Sequence, residues 1–285
     1  MTIVVTGATG HLGHLIVEAL LRDGVAPSDI VAGGRKLAEL DDLAARGVRV
    51  ATIDYDDPQT LAAALAGADT LMLVSASEPG KRVAQHKAAI DAAVAAGVTH
   101  IVYTSAPHAT TSNLILAPDH KRTEELIAAS GIPATILRNG WYTENYVRNV
   151  PQIVESGALV SSVGDGLVSS ASRKDYADAA AVVLTTHGHE GKIYELSGDV
   201  AWSQDELAAT LAEITGTKVT YAPVTTEQHA DILRSAGLDE GTIGFVTALD
   251  ANTRDGLIGE TNGELSKLIG RPTTPLAEGL AAALA

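Results

Sequence analysis

Cysteine is absent from this 285-residue chain. That removes disulfides, thiolate zinc sites, iron–sulfur clusters and thiol nucleophiles together. Basic residues are scarce: 20 Lys and Arg against 35 Asp and Glu leave a net charge of −15. Such a field repels a duplex and an anionic membrane surface, so no nucleic-acid partner is expected. Long apolar runs are missing too. The longest, residues 61–74, is broken by Gly67, Asp69 and Thr70, short of the ~20 residues a membrane helix needs. Met1 leads at once into Thr2-Ile3-Val4-Val5, without a basic start or a signal-type apolar core, so a cytoplasmic location is the expectation. No G-x-S-x-G elbow supports a Ser/His/Asp hydrolase.

What is present suits a folded α/β protein. Hydrophobic residues make up 46%, enough for a sizeable core, and charged residues only 19%, too few for a disordered chain. Short β-branched runs at 3–6, 30–32, 48–53, 70–74, 101–104 and 134–137 are apolar on both faces, as parallel strands covered by helices must be. Helical segments alternate with them. Leu12, Leu15, Ile16, Ala19 and Leu20 make one stripe of a first helix. A helix over 81–96 stops at Gly97, and one over 119–129 stops before Gly131 and Pro133. The alternation predicts a doubly wound parallel sheet.

After Arg138 the pattern loosens. Strand-like pieces fall at 158–160, 193–196 and 219–221, with helices between and after them. One helix spans 175–186. Ser203 and Glu206 form a capping box for another, and a terminal helix follows Pro275. No repeat or low-complexity linker separates this part. It is expected to pack on the strand ends, where a ligand of such a sheet sits.

The sharpest motif is Thr6-Gly7-Ala8-Thr9-Gly10-His11-Leu12-Gly13, between the first strand and first helix. That is the setting of a dinucleotide fingerprint. Gly7 makes the turn, Gly10 admits the pyrophosphate to the backbone, and Gly13 lets the helix close on the sheet. The helix N-terminus offers N–H groups and positive dipole to phosphate. The second strand runs into Ala32-Gly33-Gly34-Arg35-Lys36. No acid is there to hold a free ribose 2′-hydroxyl. Arg35 can instead fork onto a 2′-phosphate, so NADPH is expected over NADH. Asp54-Tyr55-Asp56-Asp57 should border the adenine and Val74, Ser75 and Ala76 the ribose. The plain alternative for the acidic run is a solvated helix start before Pro58.

The G-x-x-G-x-x-G spacing resembles that of extended and atypical short-chain dehydrogenases. Carbonyl reducers of that group carry a Tyr with a Lys four residues later. Here the residues four after each tyrosine are Gln59, Pro107, Tyr146, Val150, Ala180, Gly198 and Thr225. The usual proton donor is missing. Hydride addition to a ketone makes a strongly basic alkoxide that needs an acid. Addition to a quinone makes a phenolate-like anion, with a pKa near the ~10 of tyrosine, which can protonate from a weak donor.

Further motifs narrow the resemblance. These are the run from Arg138 to Tyr146, Tyr103-Thr104-Ser105, Ser170-Ala171-Ser172-Arg173-Lys174-Asp175-Tyr176, and the tail from Ser266 to Thr274. With the glycine loop they resemble the type 2 NAD(P)H:quinone oxidoreductases of the NmrA-like, atypical short-chain dehydrogenase family, over essentially the whole chain. The resemblance implies a Rossmann-type domain at 1–140. Residues 141–285 would form mainly a small α/β C-terminal substrate domain, some segments returning to the sheet. It implies a flavin-independent reductase of quinones or similar flat acceptors. NADPH would lie in the cleft, with NADH the weaker alternative.

Carried over, Gly7, Ala8, Thr9, Gly10, His11 and Leu12 wrap the pyrophosphate, and Arg35 meets the 2′-phosphate. Val74, Ser75 and Ala76 line the ribose. Arg138, Asn139, Gly140, Trp141, Tyr142 and Thr143 approach the nicotinamide. Ser170, Ala171, Ser172, Arg173 and Lys174 close the site. Gly33-Gly34 replaces bulkier residues of related chains, which should leave the adenine side less fixed. Tyr142, Asn145 and His120 are the candidates to hold the acceptor or give it a proton, while Trp141 and Tyr146 serve as an aromatic wall or as core packing. A dye reductase of the same family and a non-catalytic NADP(H) sensor remain alternatives. His187-Gly188-His189-Glu190 lacks a third partner, so no metal is expected. The sequence leaves oligomeric state open, a homodimer included.

Overall fold

A computed structural model describes residues 1–78 and 80–285. The chain divides into two compact units. The first holds Met1–Thr110, Pro118–Asn139 and Arg173–Glu195; the second holds Thr111–Ala117, Gly140–Ser172 and Leu196–Ala285.

The first unit is built on the apolar runs read above. They form β1 (Ile3–Val5), β2 (Ile30–Gly34), β3 (Arg49–Thr52), β4 (Thr70–Leu73), β5 (His100–Ser105) and β6 (Ala134–Asn139). A further strand, Ile193–Leu196, completes a seven-stranded sheet beside β6, and the order runs β3-β2-β1-β4-β5-β6 before it. The pairs among β1–β6 are all parallel. The order reverses between β1 and β4, the switch point of a doubly wound sheet.

Side chains alternate across the pleat. Val4, Val31, Leu71, Leu73, Ile101, Tyr103 and Ile136 share one buried cluster with Leu61, Leu65, Ile90, Ala93 and Ile127. These last five come from α3 (Pro58–Leu65), α4 (Arg82–Ala96) and α5 (Ala117–Ser130). The first two helices of the chain are α1 (His11–Arg22) and α2 (Asp41–Ala45). Gly97 ends α4 in the left-handed region, at φ 75°.

α1 packs against a helix contributed from far along the chain, Arg173–Thr185. The fully buried alanines Ala177, Ala179, Ala180 and Ala181 line that helix. The Arg22 guanidinium on α1 donates to Asp178 on it at 2.7 Å. This third segment belongs to the sheet unit although it follows residue 170 in sequence.

The second unit contains α6 (Val150–Ser156), β7 (Ala158–Ser161) and, beyond the helix and strand just given (α7 and β8), α8 (Gln204–Thr215). β9 (Thr220–Pro223) pairs in parallel with β7. The helices α9 (Thr226–Ser235), α10 (Glu240–Arg254), α11 (Glu264–Ile269) and α12 (Leu276–Leu284) follow. The expected capping box at Ser203 and Glu206 is formed. A second one, Thr225 with Gln228, opens α9. Among the described residues no helix is long and apolar enough to cross a membrane.

Candidate functional site

The glycine turn after β1 is shaped by contacts that no side chain could survive. Gly7 takes φ 61°. A Cβ at Gly13 would lie 2.3 Å from the Gly7 carbonyl oxygen and 2.9 Å from the Ala8 Cα. Helix and turn touch backbone to backbone. α1 begins at an extended Gly10 with no side-chain cap and no acid in its first turn. Its opening N–H groups are therefore left to an outside acceptor. These features fit a dinucleotide pyrophosphate.

The edge expected to face the adenine is filled from within at Gly33 and Gly34 and is not left loose by them. A Cβ on Gly33 would meet Ile53 at 2.1 Å, and one on Gly34 would meet Thr9 at 2.4 Å. Neighbouring side chains occupy the room that bulkier residues would take, so the two glycines do not loosen this edge. Arg35 is exposed and paired with Glu78 at 2.8 Å. Glu78 also faces Lys81 at 3.4 Å. Lys81 first, then Arg35, holds the Glu78 carboxyl below its ordinary range. In the acidic run, Asp57 caps α3 by accepting from the Gln59 amide. Tyr55 is half-buried, its hydroxyl 3.4 Å from the Val74 carbonyl, and burial pushes its phenol up to about 12.

The strip after β4 is held by three side chains that accept from its backbone. Val74 N–H donates to Thr6 Oγ1 at 3.0 Å, Ser75 N–H to Thr104 Oγ1 at 2.9 Å, and Ala76 N–H to His86 Nε2 at 2.9 Å. Arg82 holds the Ala76 carbonyl at 2.7 Å. Since Nε2 accepts, the His86 proton sits on Nδ1, toward Thr123 Oγ1 at 2.9 Å. Burial, with Arg82 adding to it, lowers the His86 imidazole to about 3. The ring is neutral at any ordinary pH.

His120 lies in the same interior, its Nδ1 2.8 Å from the Tyr103 hydroxyl. Burial first, then Arg82, lowers it to about 3. It is not a charged acid at neutral pH. Burial also pushes the Tyr103 phenol far above its ordinary value. Neither group is a ready proton donor.

Arg138 occupies an interior ion network. Its guanidinium donates to both oxygens of Glu124, at 2.9 and 2.7 Å, and to Glu195 at 2.7 Å. Glu124, then Glu195, raises its affinity for the proton further. Ser105 Oγ donates to Glu124 at 2.6 Å. The Arg138 side chain thus anchors the β6 end from inside. Asn139 is buried beside it at the strand's last position.

The remaining residues fall in two places. Within the second unit, Thr143 N–H donates to the Ala171 carbonyl at 3.0 Å, and Ala171 N–H to the Trp141 carbonyl at 3.1 Å. This bridge aligns Tyr142 with Ala171. Ser170 Oγ ties Thr143 Oγ1 at 2.8 Å to Trp202 Nε1 at 3.0 Å. Tyr146 packs edge-on to Trp202, with ring centroids 5.1 Å apart, and burial raises its phenol. Gly140 N–H donates to the Leu196 carbonyl at 2.7 Å, and Asn145 N–H to the Tyr142 carbonyl at 3.1 Å. Ser172 Oγ approaches Thr274 Oγ1 at 3.5 Å. Arg173 and Lys174, by contrast, open α7 in the first unit. Lys174 pairs with Asp178 of its own helix at 3.0 Å.

The His187–Glu190 segment does not gather ligands: His189 spends its ring nitrogens on Thr186 and Tyr194. His14, Glu18 and Asp42 do converge, but Arg46 already holds Glu18. His86, Glu78, Glu195 and His108 escaped the sequence reading. Only tertiary contact joins them to the glycine turn, the Arg35 side chain or each other. The one local signal was Glu78's place after the β4 strip.

The NmrA-like family model matches residues 1–268. "Quinone oxidoreductase 2" of Escherichia coli (strain K12) is 47% identical over 276 residues, covering 97% of this chain and 96% of that protein. The crystal structure of an Escherichia coli NADPH-dependent quinone oxidoreductase complexed with NADPH is 46% identical. It superposes with a TM-score of 0.94 over 100% of both chains. The Citrobacter sp. triphenylmethane reductase complexed with NADP(H) matches at 40% identity and a TM-score of 0.93, over 99% of this chain and 100% of that one. The α/β fold with its Rossmann-type sheet is that of those structures, and the chain belongs to the NmrA-like family.

Proposed function

We propose that this protein is an NADPH-dependent, flavin-independent reductase that passes hydride directly to a quinone. The observation that carries this reading is the likeness, at 46% identity over the full length, to a quinone oxidoreductase holding NADPH. When bound, NADPH supplies the hydride. The backbone of Gly7–Leu12 and the open first turn of α1 face its pyrophosphate. Arg35 takes the 2′-phosphate in exchange for Glu78. Val74, Ser75 and Ala76 present to the ribose a strip held at its N–H groups and at the Val74 and Ala76 carbonyls, a wall already fixed before a ligand meets it. The family likeness assigns Asn139 through Thr143 and Ser170 through Lys174 to the cofactor as well, and makes Tyr142 and Asn145 the candidates to meet a quinone oxygen.

A flat acceptor needs position and orientation more than strong acid catalysis. That agrees with the absent Tyr and Lys pair. The triphenylmethane reductase likeness keeps a second reading, since a cationic dye accepts hydride at carbon with no proton at all. The test is loss of NADPH absorbance on adding benzoquinone, then a triphenylmethane dye, to purified protein. Quinone turnover is expected. Tight NADPH binding without oxidation by either would instead make the protein a sensor. Arg35→Ala should weaken NADPH about tenfold or more in titration calorimetry, and NADH little. Equal losses would end the 2′-phosphate assignment.

A further inference from the structure

The ends of three strands bring four charged side chains to one place. Arg35 follows β2, Asp56 follows β3, and Glu78 and Lys81 follow β4. Glu78 stands between the two cations. Its Oε1 lies 2.8 Å from Arg35 Nη1 and its Oε2 3.4 Å from Lys81 Nζ. Lys81 Nζ is also 3.9 Å from Asp56. Lys36, the cation next to Arg35 in sequence, pairs instead with Glu39 at 3.3 Å. The cation that shares a carboxylate with Arg35 is thus the distant Lys81.

The place of this carboxylate is informative. β1 lies between β2 and β4 in the sheet, so Glu78 joins the two strands that flank the glycine turn. The turn itself meets the β2 end: Ala8 N–H donates to the Gly33 carbonyl at 2.8 Å. A dinucleotide with its pyrophosphate on that turn carries the adenosine ribose over the β2 end. A 2′-phosphate then arrives where the Glu78 carboxylate stands. Carboxylate and phosphate both offer a pair of oxygens to a guanidinium fork, so one can replace the other there. The phosphate carries about −1.5 to −2 at neutral pH and outweighs a single carboxylate between two cations. Glu78 reaches solvent and can turn outward.

The geometry points to Lys81 as a second cation for the 2′-phosphate, with the Glu78 carboxylate holding its place until the coenzyme arrives. This rests on the NADPH reading of the site and deepens it: coenzyme choice is set by two cations from opposite sides of β1, not by Arg35 alone. NADH brings no group to this place and leaves the Arg35–Glu78–Lys81 arrangement closed.

Calorimetric titration of the full-length protein with NADPH, NADH and adenosine 2′,5′-bisphosphate tests this without turnover. Lys81→Gln should weaken NADPH and the bisphosphate about threefold to tenfold at low salt and NADH less than about twofold, with an unchanged melting temperature. The loss should shrink as salt is raised, and Lys81→Arg should keep most of the affinity. A second comparison separates contact with the phosphate from mere neutralisation of Glu78. In a Glu78→Gln background no carboxylate is left to neutralise, and adding Lys81→Gln should still weaken NADPH by a similar factor. An unchanged NADPH Kd on that addition would overturn the assignment, as would equal losses for NADPH and NADH in Lys81→Gln. A wild-type protein that binds neither NADPH nor the bisphosphate would instead remove the coenzyme reading beneath it.

Discussion

Arg35 and Glu78 show how a single contact changes what a sequence motif means. The bare run Gly34-Arg35-Lys36 reads as an open cation awaiting a phosphate. In the fold, Arg35 is already paired, and a 2′-phosphate must compete with Glu78 for it. An exposed pair of this kind is weak, so the competition is modest. Glu78→Gln should tighten NADPH binding about two- to fivefold and leave NADH unchanged, by titration calorimetry at low salt. Weaker NADPH binding in that variant would mean that Glu78 pre-orients the guanidinium and does not oppose the phosphate. Residue-scale reading of this kind was out of reach before folding: 43 positions of chain separate the two side chains, and no local pattern links them.

At the scale of elements, legibility followed locality. The parallel strands of the sheet and the turn after β1 were readable because β-branched runs and glycine spacing are local signals. Boundaries moved by a residue or two: β2 runs on to Gly34, and α5 begins at Ala117. The sequence does not mark α9 and α10 individually. α10 carries Gly241 and Gly244, poor helix formers that blur its period. Its start is set by Asp239 accepting from Thr242, a cap visible only as one more acid in sequence. The return of α7 to pack on α1 is non-local and depends on a small-residue face. In the candidate site, the glycine turn was legible, whereas the His86, Glu124 and Glu195 anchors were not.

The seam between α1 and its turn gives an element-scale prediction. Gly13→Ala places a methyl carbon against the Gly7 carbonyl at a separation no real contact allows. Either the turn opens or α1 lifts from it. The variant should lose about 1–3 kcal/mol of stability in urea unfolding and bind both NADPH and NADH more weakly if, as proposed, the turn serves the pyrophosphate common to both. Selective loss of one coenzyme would contradict this account of the turn.

On the scale of the whole molecule, buried neutral histidines and excess acid make the fold sensitive to low pH. His86 and His120 are both lowered to about 3, and His100 is lowered too, burial being the leading cause each time. In the unfolded chain these rings take protons near pH 6.5. Below that pH the unfolded state binds more protons than the folded one, so stability falls. The contribution is fully present above about 6.5 and is lost progressively down to about 3, at a limiting slope of about 1.4 kcal/mol per pH unit for each ring. Urea unfolding followed from pH 7 to pH 4 should show this decline. His86→Gln should have a shallower slope across the same window, even though losing the Ala76 anchor makes it less stable at pH 7. A parallel curve, merely displaced downward, would show that the His86 ring does titrate in the folded protein and that its burial does not keep it neutral.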